Sequence, residues 1–134
     1  MKQSGFQFTN PMISKLNYLI HPEFKPAENE ALSIENSFAT NIYRDPDENS
    51  AVVELIIMLG DIKPDKAPFH IELTIGASFK WEQAYTEETI TSLLSVNAPA
   101  VLLGYARPII ATITNMSPYH AYNVPFYNFT NNSI

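Results

Sequence analysis

Residues 97–134 carry a single Asp, Glu, Lys or Arg side chain, Arg107. The first part of that stretch, NAPAVLLGYARPIIATITNM, reads as a helix that is apolar on most of its circumference. Such a helix must be covered on more than one side. A chain of 134 residues, read as one domain over 1–134, has limited means to do so alone. The expectation is an α+β protomer whose helix is buried partly by its own sheet and partly by other subunits.

The charge is asymmetric. All 14 acidic residues lie between Glu23 and Glu88, and the formal net charge is −6. The first two-thirds therefore supplies solvated surface, and the last third buried or sticky surface. The eight basic residues are scattered singly, which argues against nucleic acid as a partner. Without cysteine there are no disulfides and no thiolate metal sites. MKQSGFQFTNPM has no uninterrupted apolar run of the signal-peptide kind. No window is read as approaching the ~18 consecutive apolar residues of a membrane span. These readings set the expectation of a cytoplasmic protein with no direct membrane insertion.

Residues 4–20 alternate loosely and are interrupted at Asn10-Pro11, as expected for a broken strand at a sheet edge. Residues 21–32 (HPEFKPAENEAL) read as a loop or crossover with Phe24 as its one large apolar group. Residues 33–43 and 51–62 are the next strands. Residues 69–80 give the cleanest pattern: Phe69, Ile71, Leu73, Ile75, Ala77 and Phe79 face one way, and His70, Glu72, Thr74, Ser78 and Lys80 the other. Short turns between consecutive strands predict a four-stranded antiparallel sheet with one wet face. Two helices then pack on the other face. Residues 86–95 open on the cap-like TEET, and Asn97 is placed to cap a second helix over 98–116 with Pro99 in its first turn. Pro108 predicts a bend near Gly104.

No catalytic signature is present. The three histidines, His21, His70 and His120, do not fall at ligand spacing, and four glycines form no phosphate-binding loop. No metal, cofactor or enzymatic activity is expected. Arg107, alone in an apolar stretch, should be ion-paired with an acid of a strand or a neighbouring subunit, or reach solvent. The stronger functional signal is aromatic: Tyr119, Tyr122, Phe126, Tyr127 and Phe129 fall within 11 residues, almost free of charge. Such a cluster can line a groove for apolar side chains, or seal the helix against the sheet.

Residues 69–129 resemble SecB, the bacterial protein-export chaperone family. The resemblance rests on FHIELTIGASF, on Ala98-Pro99 followed by Leu102-Leu103 and Tyr105-Ala106-Arg107, on the aromatic loop, on Pro125, and on Asn128-Phe129. It implies a four-stranded antiparallel sheet and a homotetramer, a dimer of dimers with helices sandwiched between sheets. Ile71, Leu73, Ile75, Tyr105 and Arg107 would then pack in the helix layer. It further implies an ATP-independent holdase for unfolded polypeptides, with a groove lined by Phe24, Tyr119, Tyr122, Phe126 and Tyr127. His70 and Glu72 would lie on the face that docks the translocation ATPase SecA in that family. Lys15 and Leu19 stand where the family carries acids, and the family's C-terminal tail has no counterpart, so polypeptide binding is implied more directly than SecA docking. A SecB-like adaptor for one partner, as in toxin–antitoxin systems, is the alternative.

Overall fold

The computed structural model describes residues 1–26 and 33–131. Residues 27–32 of the expected crossover and the last three residues lie outside that range.

Period-two patterning gives five strands: β1 (Phe6–Phe8), β2 (Met12–Ile20), β3 (Asn36–Asp45), β4 (Ser50–Gly60) and β5 (Phe69–Trp81). All pairings are antiparallel, in the order β1/β2, β5, β4, β3. The expected first strand is thus two. It breaks around Asn10-Pro11, because proline cannot donate to the ladder, and both pieces run along the same edge of β5. A second irregularity shifts the register between Ile13 and Lys15. The count is five rather than four, while the four-rung layout stands.

One face of the sheet is the core. Val53, Leu55, Ile57 and Leu59 of β4 and Ile71, Leu73, Ile75 and Phe79 of β5 are essentially inaccessible. The turn between these strands needs Gly60, which has φ 75°. A Cβ there would lie 2.0 Å from the Phe69 carbonyl oxygen.

The two expected helices are one continuous run, Glu87–Thr114. Thr86 caps it as the TEET pattern predicts, its hydroxyl accepting the Thr89 N–H at 3.2 Å. Asn97 makes no side-chain cap and has helical dihedrals. The reason is a π turn, Leu93–Asn97, between α1 (Glu87–Ser92) and α2 (Ala98–Thr114). There the Ala98 N–H reaches back five residues to Leu93. The wider turn accommodates Pro99, whose ring would crowd the carbonyl four residues back in a regular helix. By length and composition this fused helix could cross a membrane, contrary to the sequence expectation; in the fold one side of it is buried in the core. Ala98, Leu102, Leu103, Ala106 and Ile110 seal it onto β4 and β5.

Candidate functional site: an aromatic groove along the sheet

The aromatic residues fall in two groups on the helix side of the sheet. In the first, Phe24 meets Tyr119 edge-on, ring centroids 6.4 Å apart. The Tyr119 hydroxyl also reaches the carbonyl oxygens of His21 and Phe24. His21 is itself buried, and its Nε2 donates to the Asp61 carbonyl at 2.9 Å. That bond ties the segment after β2 to the turn between β4 and β5. Tyr122 lies against Phe69 at 5.9 Å, and its hydroxyl exchanges hydrogen bonds with the Asn36 side chain at 2.8 and 3.1 Å. Two cavities open here. One of about 550 Å³ is lined by Ile20, His21, Phe24 and Pro64 among others. The other, about 330 Å³, lies between Ile34, Phe69, Tyr119 and Tyr122 and is mostly apolar.

The second group runs along β3. Tyr127 packs on Phe38 with ring centroids 4.5 Å apart, and Phe129 meets the same ring edge-on at 6.2 Å. Burial, with a smaller contribution from Tyr122, raises the Tyr127 phenol above its ordinary pKa. Phe126 is 85% exposed and lies over the Arg107 guanidinium at 4.2 Å. Of the five expected groove residues, then, Phe24, Tyr119 and Tyr122 come together, while Phe126 and Tyr127 sit further along the sheet. Phe38, Asn36 and Phe69 belong to this surface too. Sequence reading assigned Phe38 and Phe69 to strand faces, and a strand pattern cannot show that the tail folds back over them.

Arg107 is half-buried, and the acid expected of a strand is not its partner. Among the described residues it has no acidic partner; its Nε donates to the Val124 carbonyl at 2.7 Å. It therefore anchors the tail through a carbonyl and an aromatic face. Tyr105 is 48% exposed and touches Phe8 edge-on at 6.0 Å. Ile71, Leu73 and Ile75 lie in the buried core.

The opposite face of the sheet carries His70 and Glu72, both half-buried. Glu72 is ion-paired with Lys15 at 3.1 Å, so its charge is locally balanced. Around it the face is substantially apolar, with Leu19, Tyr43, Val52 and Met58 exposed. Among the described residues no group of three His, Cys, Asp or Glu side chains could hold a metal ion. The site offers apolar shape and aromatic faces.

No protein-family model matches the sequence, and no curated protein matches it. Solved structures do. The Rv1957 SecB-like chaperone of Mycobacterium tuberculosis, in complex with a ChAD peptide from the antitoxin HigA1, superimposes with a TM-score of 0.73. The two are 17% identical, over 92% of this chain and 91% of that one. A protein of unknown function from Streptococcus agalactiae superimposes with a TM-score of 0.50 at 11% identity, over 93% of this chain and 100% of that one. On that superposition the protein has a SecB-like fold.

Proposed function

We propose that the protein is an ATP-independent holdase that binds extended or unfolded polypeptide in the aromatic groove. The observation that carries this reading is the groove itself. Phe24, Tyr119 and Tyr122 frame two adjoining cavities, with Phe38, Tyr127 and the exposed Phe126 further along the same side. Aromatic faces accept many apolar side chains without reading a sequence, and no chemistry is required of such a site. The peptide in the complex with the M. tuberculosis relative supports the same reading.

The helix layer supports assembly. Ile13 and Leu16 pair with Ile75 and Leu73 and so face the helix side, yet they are 41% and 42% exposed, since α2 packs mainly on β4 and β5. With Tyr105 they form an apolar strip that further copies would cover. A homotetramer built as a dimer of dimers would do so, and avidity around it would strengthen weak contacts. A cytoplasmic location fits this role. SecA docking through His70 and Glu72 would have to break the Lys15–Glu72 pair, so we assign client holding rather than translocase recognition.

The test is aggregation of a chemically unfolded client diluted into buffer. The protein at near-stoichiometric ratio should slow it, and Tyr119→Ala combined with Phe126→Ala should weaken the effect. Failure to protect any client would refute the proposal. The complex of the M. tuberculosis relative with an antitoxin peptide favours a second reading, an adaptor with one partner. Capture of one dominant partner without protection of generic clients would select it.

A further inference from the structure

The two edges of the sheet are unlike. The β1/β2 edge is interrupted at Asn10-Pro11, shifted in register between Ile13 and Lys15, and carries a lysine. These are the devices by which edges resist strand addition. The β3 edge has no interruption and no shift, and its charges, Arg44 and Asp45, stand at its end. Its 10 residues pair with β4 without a shift, and from Asn36 to Tyr43 it holds no proline and no charge.

The register fixes which backbone groups face outward. The Gly60 N–H donates to the Glu35 carbonyl at 2.9 Å, so the odd-numbered residues of β3 bond to β4. The N–H and C=O groups of Asn36, Phe38, Thr40, Ile42 and Arg44 therefore point to the open edge. Among the described residues nothing hydrogen-bonds to these backbone groups, and β3 pairs with β4 alone. They span about 27 Å at the rise of a strand. Apolar side chains flank them on both sheet faces: Phe38, Tyr127 and Ile42 on the helix side, Tyr43 and Val52 on the other.

We propose that the β3 edge takes an extended segment of an unfolded polypeptide, about nine residues long, as an added strand. This rests on the holdase reading and gives its client a backbone site. Main-chain hydrogen bonds to the even-numbered residues hold any sequence that can extend. The aromatic rim favours apolar side chains at alternate positions. A second copy of the chain on this edge is the competing occupant, and the experiment separates the two.

The probe is reduced, carboxymethylated α-lactalbumin, which stays unfolded. Amide hydrogen exchange is followed residue by residue with and without it. The amides of Phe38, Thr40 and Ile42 should exchange fast in the free protein and slow at least tenfold with client, an order-of-magnitude expectation for hydrogen bonds newly formed. The amides of Ala39 and Asn41, already bonded to β4, should be slow in both. Thr40→Pro removes an outward N–H and should weaken client binding about tenfold with the ladder kept. Asn41→Pro removes an inward one and should unfold the edge. Client held with unchanged Phe38, Thr40 and Ile42 amides, or held equally by Thr40→Pro, overturns the proposal. So does slow exchange of those amides that depends on protein concentration without client, which would place a second copy there. No binding by the unaltered protein removes the holdase reading and this inference with it.

Discussion

Arg107 shows what a single residue does in this fold. Its position in an uncharged stretch marked it as a side chain needing a partner, and the partner is the Val124 carbonyl beneath the ring of Phe126. A backbone acceptor supplied by a distant loop leaves no trace in composition, which is why an acid was expected instead. Arg107→Lys keeps the charge but loses the planar stack and the fixed Nε–H. It should cost about 2 kcal/mol. The readouts are a lower Tm and faster proteolysis within residues 123–131. A second residue-scale test concerns Glu87, which accepts two hydrogen bonds from Arg44 at 2.7 and 3.2 Å. The hydrogen bond first, and the charge of Arg44 second, hold the Glu87 carboxyl below the usual carboxylate range. A depressed folded pKa means stability that is present above the unfolded pKa and lost as pH falls through the folded one. The pair is fully exposed, so the effect is small. The melting temperature of the parent protein should fall slightly more than that of Glu87→Gln between neutral and acid pH, and parallel curves would contradict the assignment.

At the level of elements, β4 and β5 were legible because each buries a face, and period two records that directly. The break of the first strand was legible for the same reason that it occurs, the missing N–H of Pro11. The helix was misread at one point. Asn97 followed by Pro99 reads as a start, and the π turn turns that start into a continuation. Nothing in residue type distinguishes the two, since both relieve the same proline clash. Two glycines make opposite predictions. Gly60→Ala places a methyl group against the Phe69 carbonyl at positive φ and should destabilise by about 2 kcal/mol or more. Gly104 sits mid-helix with nothing within 4 Å of where a Cβ would lie. In the isolated protomer, Gly104→Ala should therefore raise stability by about 1 kcal/mol through helix propensity. Thermal melts across a dilution series check this, and a loss of stability confined to high concentration would place another chain against Gly104.

The molecule as a whole is a sheet sealed on one face by one helix and a returning tail. Tyr122, Tyr127 and Phe129 of the tail pack against residues of β3 and of the neighbouring core. The tail's aromatic content could be read from the sequence, but its division could not. Tyr119 and Tyr122 turn toward Phe24 and Phe69, while Tyr127 and Phe129 fold onto Phe38. That division depends on where β3 lies in the sheet order, a non-local fact. The apolar strip formed by Ile13, Leu16 and Tyr105 is likewise visible only once the helix is seen to pack mainly on β4 and β5. Together they make the account's central claim one about holding polypeptide on an assembled surface. The measurement that tests it most directly is the solution mass by light scattering, with and without reduced, carboxymethylated α-lactalbumin. The expected result is an oligomer, a tetramer on the proposed arrangement, whose mass rises as client is taken up. A monomer whose mass is indifferent to client would contradict it.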